Sequence, residues 1–219
     1  ELRPVPFLSF SIRYHRAHAG VMITASHNPP NYNGYKVYWD DGAQVIPPWD
    51  EKIIAHYNRL TDLSQIKSVP FEQGQKLGLI SWTAPLCEES YYHKILEQMP
   101  RLSLSKSSGN KLKIVYSALH GAGAVPCTEI LKRQGFNQVF TISEQMNPDP
   151  NFSTVKSPNP ENPQALAMAV EKMLQENADI AFATDPDADR LGVVVPSGGQ
   201  PYYFNGNQLG CLMLYYLLS

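Results

Sequence analysis

Short apolar segments alternate with amphipathic segments of helical length in the second half of the chain. The pattern predicts strands at residues 113–119, 139–143, 179–184 and 192–195. It predicts helices at residues 125–134 and along the apolar face formed by Leu166, Val170, Met173 and Leu174. Because such alternation is typical of βαβ units, we expect an α/β fold, with three α/β/α layers around a mixed, mostly parallel sheet. Ligand-binding and active sites in these sheets form in the loops beyond the carboxyl ends of the strands.

The first half of the chain is less regular. The pattern predicts strands at residues 19–24, 35–39 and 43–46, and helices at residues 49–60 and 86–99. The first of these strands is continuously apolar, so we expect it to be buried. It runs into a polar loop that begins at Ser26. Asp41 and Gly42 predict a turn between the second and third strands.

Residues 102–110 are rich in Ser, Lys and Gly, which makes them the best candidate for a linker. We therefore predict a first domain over residues 1–105, a second over residues 106–205 and the start of a third over residues 206–219. The sequence begins at Glu1 without a Met and ends inside an apolar helical pattern. We expect it to be part of a longer protein.

Composition excludes few classes of protein, but it argues against some partners and favours one cellular compartment. The chain has 18 basic and 20 acidic residues and a formal net charge of -2, which argues against a nucleic-acid partner. Its cysteines, Cys87, Cys127 and Cys211, are isolated, which favours reduced thiols in a cytoplasmic protein over disulfides or a zinc site. The apolar run at residues 209–218 is shorter than the roughly 20 residues that span a bilayer, so no membrane partner is expected.

Three carboxylates stand at alternate positions after a predicted strand, at Asp185, Asp187 and Asp189. Alternate side chains of an irregular loop can converge, and carboxylates so close repel one another unless a cation lies between them or one is protonated. Oxygen ligands favour a hard cation such as Mg²⁺ or Ca²⁺. A solvated acidic turn is the simpler alternative.

Two other classes of acidic loop do not match. A calcium-binding EF-hand loop counted from Asp185 requires Gly at its sixth position and Glu at its twelfth, where this chain has Arg190 and Pro196. A phosphatase of the haloacid dehalogenase type expects Thr or Val at the position of Asp189. The loop therefore belongs to neither class.

The loop at residues 24–29 follows an apolar strand and contains Ser26 and His27. A serine in such a loop can cap a helix, stabilise a turn or act as a nucleophile, and the loop alone does not distinguish these roles. No G-x-S-x-G elbow surrounds Ser26, which argues against a serine hydrolase. His27 by itself is equally compatible with an ordinary hydrogen-bonding role.

Taken together, five segments resemble the α-D-phosphohexomutase family, which contains the phosphoglucomutases and phosphomannomutases. They are TASHNP at residues 24–29, NGYK at 33–36, LHGAG at 119–123, PNPE at 158–161 and DPDADR at 185–190. The segments follow the family's order and extend over most of the chain. The amino-acid sequence near residues 35–44 is most similar to that of the phosphoglucomutase branch that includes phosphopentomutases. Pro186 is a departure, because many members have Gly there.

The resemblance implies a repeated α/β/α domain type and assigns the predicted domains. Residues 1–105 would be the C-terminal part of the first domain with the active serine loop, residues 106–205 the second domain with the metal loop, and residues 206–219 the start of the third. It also implies a phosphoserine at Ser26 that exchanges its phosphoryl group with a sugar phosphate through a bisphosphorylated sugar. Glucose 1,6-bisphosphate is the expected activator, and the remaining domains are the expected partners.

The resemblance further assigns roles to site residues. Asp185, Asp187 and Asp189 would hold Mg²⁺, with a phosphate oxygen on Ser26 as a further ligand. Arg190 would lie beside the phosphate, although a salt bridge to its own loop is an alternative. Two further residues have implied catalytic roles. Lys36 would be a general acid or base towards the sugar hydroxyl, and His27 would orient the phosphate or share the proton transfer.

Three hypotheses about activity remain open at this point. The first is a mutase of glucose or mannose phosphates, and the second is a phosphopentomutase with the same chemistry. The third is a sugar-phosphate-binding module without catalysis. Because the family's sugar-recognising loops are missing from the sequence, we expect the isolated chain to turn over little or no sugar.

Overall fold

The computed structural model describes residues 2–83 and 85–219, apart from the side chain of Leu63. The predicted start of the first domain at Glu1 lies outside the described residues. No helix within the described ranges has the length and apolar character that crossing a membrane requires. Cys87, Cys127 and Cys211 are all free thiols.

The described part of the chain contains nine α-helices and seven β-strands. The helices are α1 (Val5–His15), α2 (Trp49–Tyr57), α3 (Phe71–Lys76), α4 (Pro85–Glu97), α5 (Leu102–Ser108), α6 (Ala124–Arg133), α7 (Ser143–Met146), α8 (Ala167–Glu176) and α9 (Gly206–Leu218). The strands are β1 (Ala19–Ile23), β2 (Tyr35–Trp39), β3 (Lys113–Ser117), β4 (Gln138–Thr141), β5 (Ile180–Thr184), β6 (Leu191–Ser197) and β7 (Gln200–Phe204). Helix α1 and strand β7 have no counterpart among the predicted elements.

The second half of the chain forms a five-stranded sheet in the order β4-β3-β5-β6-β7. Strand β3 is parallel to β4 and β5, whereas β6 and β7 continue the sheet in antiparallel pairs. Helix α8 packs on β3 and β5. On the opposite face, Cys127 of α6 lies against Tyr116 of β3. The predicted α/β fold with a mixed sheet is confirmed, but the sheet is not mostly parallel as expected, because two of its four strand pairs are antiparallel.

The main core lies between this sheet and α8. Its buried members come from the sheet, from α8 and from their connections: Val115, Ile142, Ala169, Met173, Ala178, Ala181 and Val194. The predicted helical face is correct for Leu166 and Met173, which are 2% and 1% exposed, and for Val170, which packs partly buried against the core. It is wrong for Leu174, which is 55% exposed. Leu174 directly follows Met173 and lies about 100° further around the helix. Its side chain therefore points away from the core.

In the first half, β1 and β2 form a two-stranded antiparallel sheet. Helix α1 covers one face, where Gly20 lies so close to Ile12 that a Cβ would be 2.3 Å from its Cδ1 atom. Val21 and Ile23 point the other way and are 43% and 59% exposed. The prediction of a buried first strand is therefore wrong for this structure. Alternate side chains of a strand face opposite sides, and here only one side of the described sheet is covered.

Two further predicted segments differ from the structure. The return arm at residues 43–46 makes an isolated bridge between Tyr38 and Gln44 and does not form a full strand. The linker candidate at residues 102–110 is largely helical, because it contains α5 and the start of a 3₁₀ turn, Gly109–Lys111. Ser and Lys are tolerated in helices, so their abundance does not exclude one. The domain boundaries remain predictions.

Helix α4 connects the two halves of the chain. Tyr91 packs edge-on against Phe7 of α1, with ring centroids 5.3 Å apart. Glu89 receives two hydrogen bonds of 2.8 Å from the guanidinium of Arg133 in α6. In addition, the backbone N–H of Val5 donates to Asp187 O at 2.9 Å. These contacts place the loop after β1 beside the loop after β5.

Adjacent residues of α8 provide a matched test of the core. Met173→Ala is expected to lower the free energy of unfolding by about 2–5 kcal/mol, because it leaves a cavity in the main core. Leu174→Ala removes an exposed side chain and is expected to change it by less than about 0.5 kcal/mol. Urea unfolding followed by circular dichroism measures both. Equal losses would contradict this placement of α8.

Candidate active site

The serine loop, residues 24–29, and the aspartate loop, residues 185–190, meet although they are far apart in sequence. Ser26 Oγ donates a hydrogen bond of 2.7 Å to Asp185 Oδ2, across 159 positions. His27 Nδ1 lies 3.1 Å from the same hydroxyl oxygen. When Asp185 is ionised and receives the single hydroxyl proton, His27 Nδ1 is the donor in this contact. The Ser26 oxygen is therefore held between a carboxylate and an imidazole.

Asp185 is completely buried. Its Oδ1 accepts hydrogen bonds from the backbone N–H groups of Asp189, at 3.1 Å, and Arg190, at 3.0 Å. Burial raises the pKa of Asp185 to about 7, with a further increase from neighbouring Asp187 and an opposing effect of the Ser26 hydrogen bond. Near neutral pH, this carboxyl group therefore exists in both protonation states.

Asp187 is also buried but has the opposite shift. Burial would raise its pKa, yet the hydrogen bonds from Asp185 and Lys36 lower it overall. Its Oδ2 accepts from Lys36 Nζ at 3.0 Å and from Thr24 Oγ1 at 3.1 Å. Its Oδ1 is buried and has no hydrogen-bond partner in the described part of the chain. One oxygen of the carboxylate therefore remains available to a ligand.

The three aspartates that the sequence predicted as metal ligands converge. One carboxylate oxygen from each of Asp185, Asp187 and Asp189 lies within 4.8 Å of the others. The buried, unpartnered Oδ1 of Asp187 needs a positively charged or hydrogen-donating partner. An all-oxygen donor set of this kind fits Mg²⁺ or Ca²⁺. The residues present thus fit a divalent cation, next to the Ser26 hydroxyl.

Lys36 reaches the same cluster from β2. Its Nζ is 3.0 Å from Asp187 Oδ2 and 3.7 Å from Asp189 Oδ2. Burial alone would lower the pKa of Lys36, but the bond to Asp187 and the charge of Asp189 raise it overall. A lysine that acts as a base needs a lowered pKa, so in this state Lys36 is suited to donate a proton.

His27 and Arg190 lie close enough to influence each other. Burial lowers the pKa of His27, and the positive charge of Arg190 lowers it further. Both effects favour the neutral imidazole. His120, in the LHGAG segment, is buried, with Nε2 2.8 Å from Thr154 Oγ1 and Nδ1 3.2 Å from Asn147 O. Its contacts fit a structural role.

Sequence reasoning missed the contribution of Thr24 and of two glycines. Thr24 joins the serine loop to Asp187. A Cβ on Gly34 would be 2.1 Å from Thr24 O, and one on Gly121 would be 2.4 Å from the Cα of Pro186. Both glycines lie within segments that carry the family resemblance. Their place in those segments was the feature of the sequence that could have indicated their importance. They allow the backbones of neighbouring loops to approach closely.

Pro186 does not disturb the aspartate loop. The residue with positive φ is Ala188, at 55°, so the fixed φ of proline is compatible with the turn. The carbonyl of Pro186 accepts a hydrogen bond of 2.7 Å from Ala122 N. The loop at residues 119–123 therefore supports the aspartate loop through its backbone.

A serine hydroxyl beside an all-oxygen carboxylate cluster is an arrangement that can serve phosphoryl transfer. Comparison with known proteins agrees with this class. Residues 1–64 match the model of phosphoglucomutase/phosphomannomutase alpha/beta/alpha domain I, and residues 89–198 match that of domain II. The chain belongs to the phosphoglucomutase/phosphomannomutase family, as the sequence motifs predicted.

Curated relatives and solved structures give the same result. The chain is 39% identical over 218 residues to a phosphoglucomutase of Staphylococcus epidermidis, covering 99% of this chain and 39% of the relative. A putative phosphomannomutase of Thermus thermophilus is 32% identical, with a TM-score of 0.76, and the match covers 98% of this chain and 44% of that one. The N-acetylphosphoglucosamine mutase of Aspergillus fumigatus shares the fold at 14% identity and a TM-score of 0.55, with 93% of this chain and 49% of that one covered. The chain thus spans about 39% of the length of the curated relative.

The raised pKa of Asp185 predicts a pH dependence of cation binding. Its folded pKa of about 7 lies above the ordinary value of 3.8, so without a cation the protonated carboxyl contributes stability that is lost as the pH rises through about 7. A cation requires the carboxylate. Added Mg²⁺ is therefore expected to raise the melting temperature more at pH 8 than at pH 6, as measured by scanning calorimetry.

Asp185→Asn is the control, because it removes the titrating group and should abolish the difference between the two pH values. An equal effect of Mg²⁺ at pH 6 and pH 8 in the unsubstituted chain would contradict the prediction.

Proposed function

We propose that this chain carries the phosphoserine and cation-binding parts of a sugar-phosphate mutase. The enzyme would move a phosphoryl group between two positions of a sugar, such as glucose 1-phosphate to glucose 6-phosphate, through a phosphoserine and a bisphosphorylated sugar. The observation that supports this most directly is the 2.7 Å hydrogen bond between Ser26 Oγ and Asp185 in the carboxylate cluster. A solvated acidic turn would not need a serine from a distant loop.

Ser26 is the phosphoryl carrier in this proposal. Its oxygen is positioned by Asp185 and His27, so its direction is determined before a substrate arrives. On phosphorylation the Ser26 hydroxyl loses its proton while the departing sugar oxygen gains one, so the transfer releases no net proton. In the reverse step, the phosphoryl group leaves Ser26 and the serine oxygen regains a proton.

The cationic residues act on the transferring group and on the sugar. Lys36 donates a proton to the departing sugar oxygen and accepts one from the attacking hydroxyl in the opposite direction. Arg190 binds the phosphoryl oxygens, for which its planar guanidinium is suited. The neutral imidazole of His27 orients the phosphate on Ser26 or shares the proton transfer. Lys36, Arg190 and His27 are all among the residues of the site that the structure describes.

Asp185, Asp187 and Asp189 would hold Mg²⁺, which when bound supplies positive charge to neutralise the transferring phosphoryl group. The fit of the three carboxylates and the available Oδ1 of Asp187 support this assignment. The Aspergillus fumigatus mutase, which shares the fold, has been solved with GlcNAc-6P and magnesium and, separately, with glucose 1,6-bisphosphate. We infer the same kind of activator here.

Glucose 1-phosphate is the first substrate to test, because the Staphylococcus epidermidis relative is a phosphoglucomutase. We place the enzyme in the cytoplasm, since its three cysteines are free thiols. The predicted first and second domains, residues 1–105 and 106–205, would work with further domains of a longer protein. Sugar phosphates are its proposed partners.

Localised mass spectrometry of the longer protein tests the phosphoserine directly. After incubation with glucose 1,6-bisphosphate and Mg²⁺, one phosphoryl group is expected on Ser26, and glucose 1-phosphate should discharge it. Ser26→Ala should carry none and lose at least about 10³-fold in kcat, because the carrier is missing. Ser157→Ala is a control, since the contact that the described residues show between Ser157 and the loop is a single 3.4 Å bond to His27 O. An unmodified Ser26 in the active protein would refute the proposal.

The 219-residue chain by itself is expected to show little or no mutase activity, because it spans about 39% of the length of its curated relative. A coupled assay for glucose 6-phosphate measures this. Turnover by the chain at the rate of the longer protein would show that the further domains are not needed.

A further inference from the structure

Thr24 is the first residue of the serine loop, bonds to the aspartate loop and has no part in the reaction proposed above. It follows β1 directly, and its backbone N–H donates to Gly34 O at 3.0 Å. The backbone of Gly34 approaches so closely that a Cβ there would be 2.1 Å from Thr24 O. Thr24 is therefore held firmly at the end of the strand.

The hydroxyl of Thr24 makes two hydrogen bonds whose directions follow from the chemistry of the partners. The backbone N–H of Ser26 can only donate, so Thr24 Oγ1 accepts from it, at 2.9 Å. The ionised carboxylate of Asp187 can only accept, so the hydroxyl proton is directed to its Oδ2, at 3.1 Å. A single hydroxyl thus joins two loops that are 163 positions apart in the chain.

The first bond acts on the serine. Ser26 has a φ of 54°, a left-handed conformation that is unfavourable for a residue with a Cβ. The bond from its N–H to the side chain two residues earlier stabilises this conformation. In it, Ser26 Oγ reaches Asp185 at 2.7 Å. Without the Thr24 hydroxyl, we expect the serine to sample other backbone conformations and to leave this position.

The second bond acts on the carboxylate. Thr24 and Lys36 both donate to Oδ2 of Asp187, and Oδ1 remains buried without a partner among the described residues. The two donors therefore determine which oxygen is left for a cation. Hydrogen-bond partners behind a metal ligand commonly control its orientation and its affinity for the metal.

We propose that Thr24 is a positioning residue that places both the phosphoryl-carrying Ser26 and the cation-binding carboxylate of Asp187. The cation part rests on the proposed function, whereas the effect on the Ser26 backbone depends on the hydrogen bond alone. Thr24 acts through its neighbours, since neither of its two bonds involves the reacting oxygen of Ser26.

Two substitutions separate the hydroxyl from the shape of the side chain. Thr24→Val retains the branched shape and removes the hydroxyl, and Thr24→Ser retains the hydroxyl. Thr128→Val is the control, because within the described part of the chain the Thr128 hydroxyl bonds only to carbonyls of its own helix, Ala124 O at 2.7 Å and Val125 O at 2.9 Å. Each variant of the 219-residue chain is compared for Mn²⁺ affinity by calorimetry, for exchange of the Ser26 amide by NMR and for melting temperature.

Thr24→Val is expected to weaken Mn²⁺ binding about tenfold or more and to accelerate exchange of the Ser26 amide. Thr24→Ser should remain close to the unsubstituted chain in both measurements, and Thr128→Val should leave both unchanged. A loss in Thr24→Val that Thr24→Ser restores cannot come from a general loss of stability, which the melting temperatures monitor.

Unchanged Mn²⁺ affinity and unchanged amide exchange in Thr24→Val would overturn the proposal, as would equal losses in Thr24→Val and Thr128→Val. If the unsubstituted chain binds no Mn²⁺ while Thr24→Val alone exposes the Ser26 amide, Thr24 still positions the serine. In that outcome the metal-dependent function fails and the positioning of Ser26 stands.

Discussion

Mutual repulsion among three carboxylates within 4.8 Å is the constraint around which the site is arranged. The structure offsets it in different ways for different residues. Asp185 has a pKa raised to about 7, so that it is partly protonated near neutrality. The pKa of Asp187 is lowered, because hydrogen bonds from Asp185 and Lys36 outweigh the effect of burial. Asp189 is exposed, so water screens its charge. A bound cation would replace these compensations with direct neutralisation.

This arrangement depends on contacts between the two halves of the chain. The aspartate loop follows a strand of the five-stranded sheet, whereas the serine loop follows a strand of the separate two-stranded sheet. Helix α4 packs against α1 through Tyr91 and binds α6 through Glu89. The backbone bond from Val5 to Asp187 adds a connection beside the site. The position of Ser26 relative to Asp185 is therefore a property of the interface between the halves.

Close backbone approaches explain why glycines accompany the chemical residues. Gly34 lets the segment just before β2 pass against Thr24, and Gly121 lets the loop after β3 pass against Pro186. In each case a side chain would push apart two loops whose separation determines distances in the site. These glycines do no chemistry, but a larger residue at either position would move the groups that do.

The local pattern of the sequence predicted much of the second half of the chain. Strands β3 and β5, helices α6 and α8, and the polar loop at Asp185 follow from periodicity, because their apolar residues recur at the spacing of strands and helices. The three aspartates were recognisable as possible ligands for the same reason, since their spacing is local. The family resemblance at residues 24–29 added Ser26, which its loop alone did not distinguish from a turn residue.

Tertiary structure decided what depends on residues distant in sequence. The exposure of Val21 and Ile23 depends on which layers cover β1, and periodicity does not report this. The pairing of Ser26 with Asp185 and the bridging hydroxyl of Thr24 join residues about 160 positions apart. The opposite pKa shifts of Asp185 and Asp187 arise from burial and from Lys36. Sequence spacing thus predicted which groups are present, and packing across the two halves determined their distances and their charge.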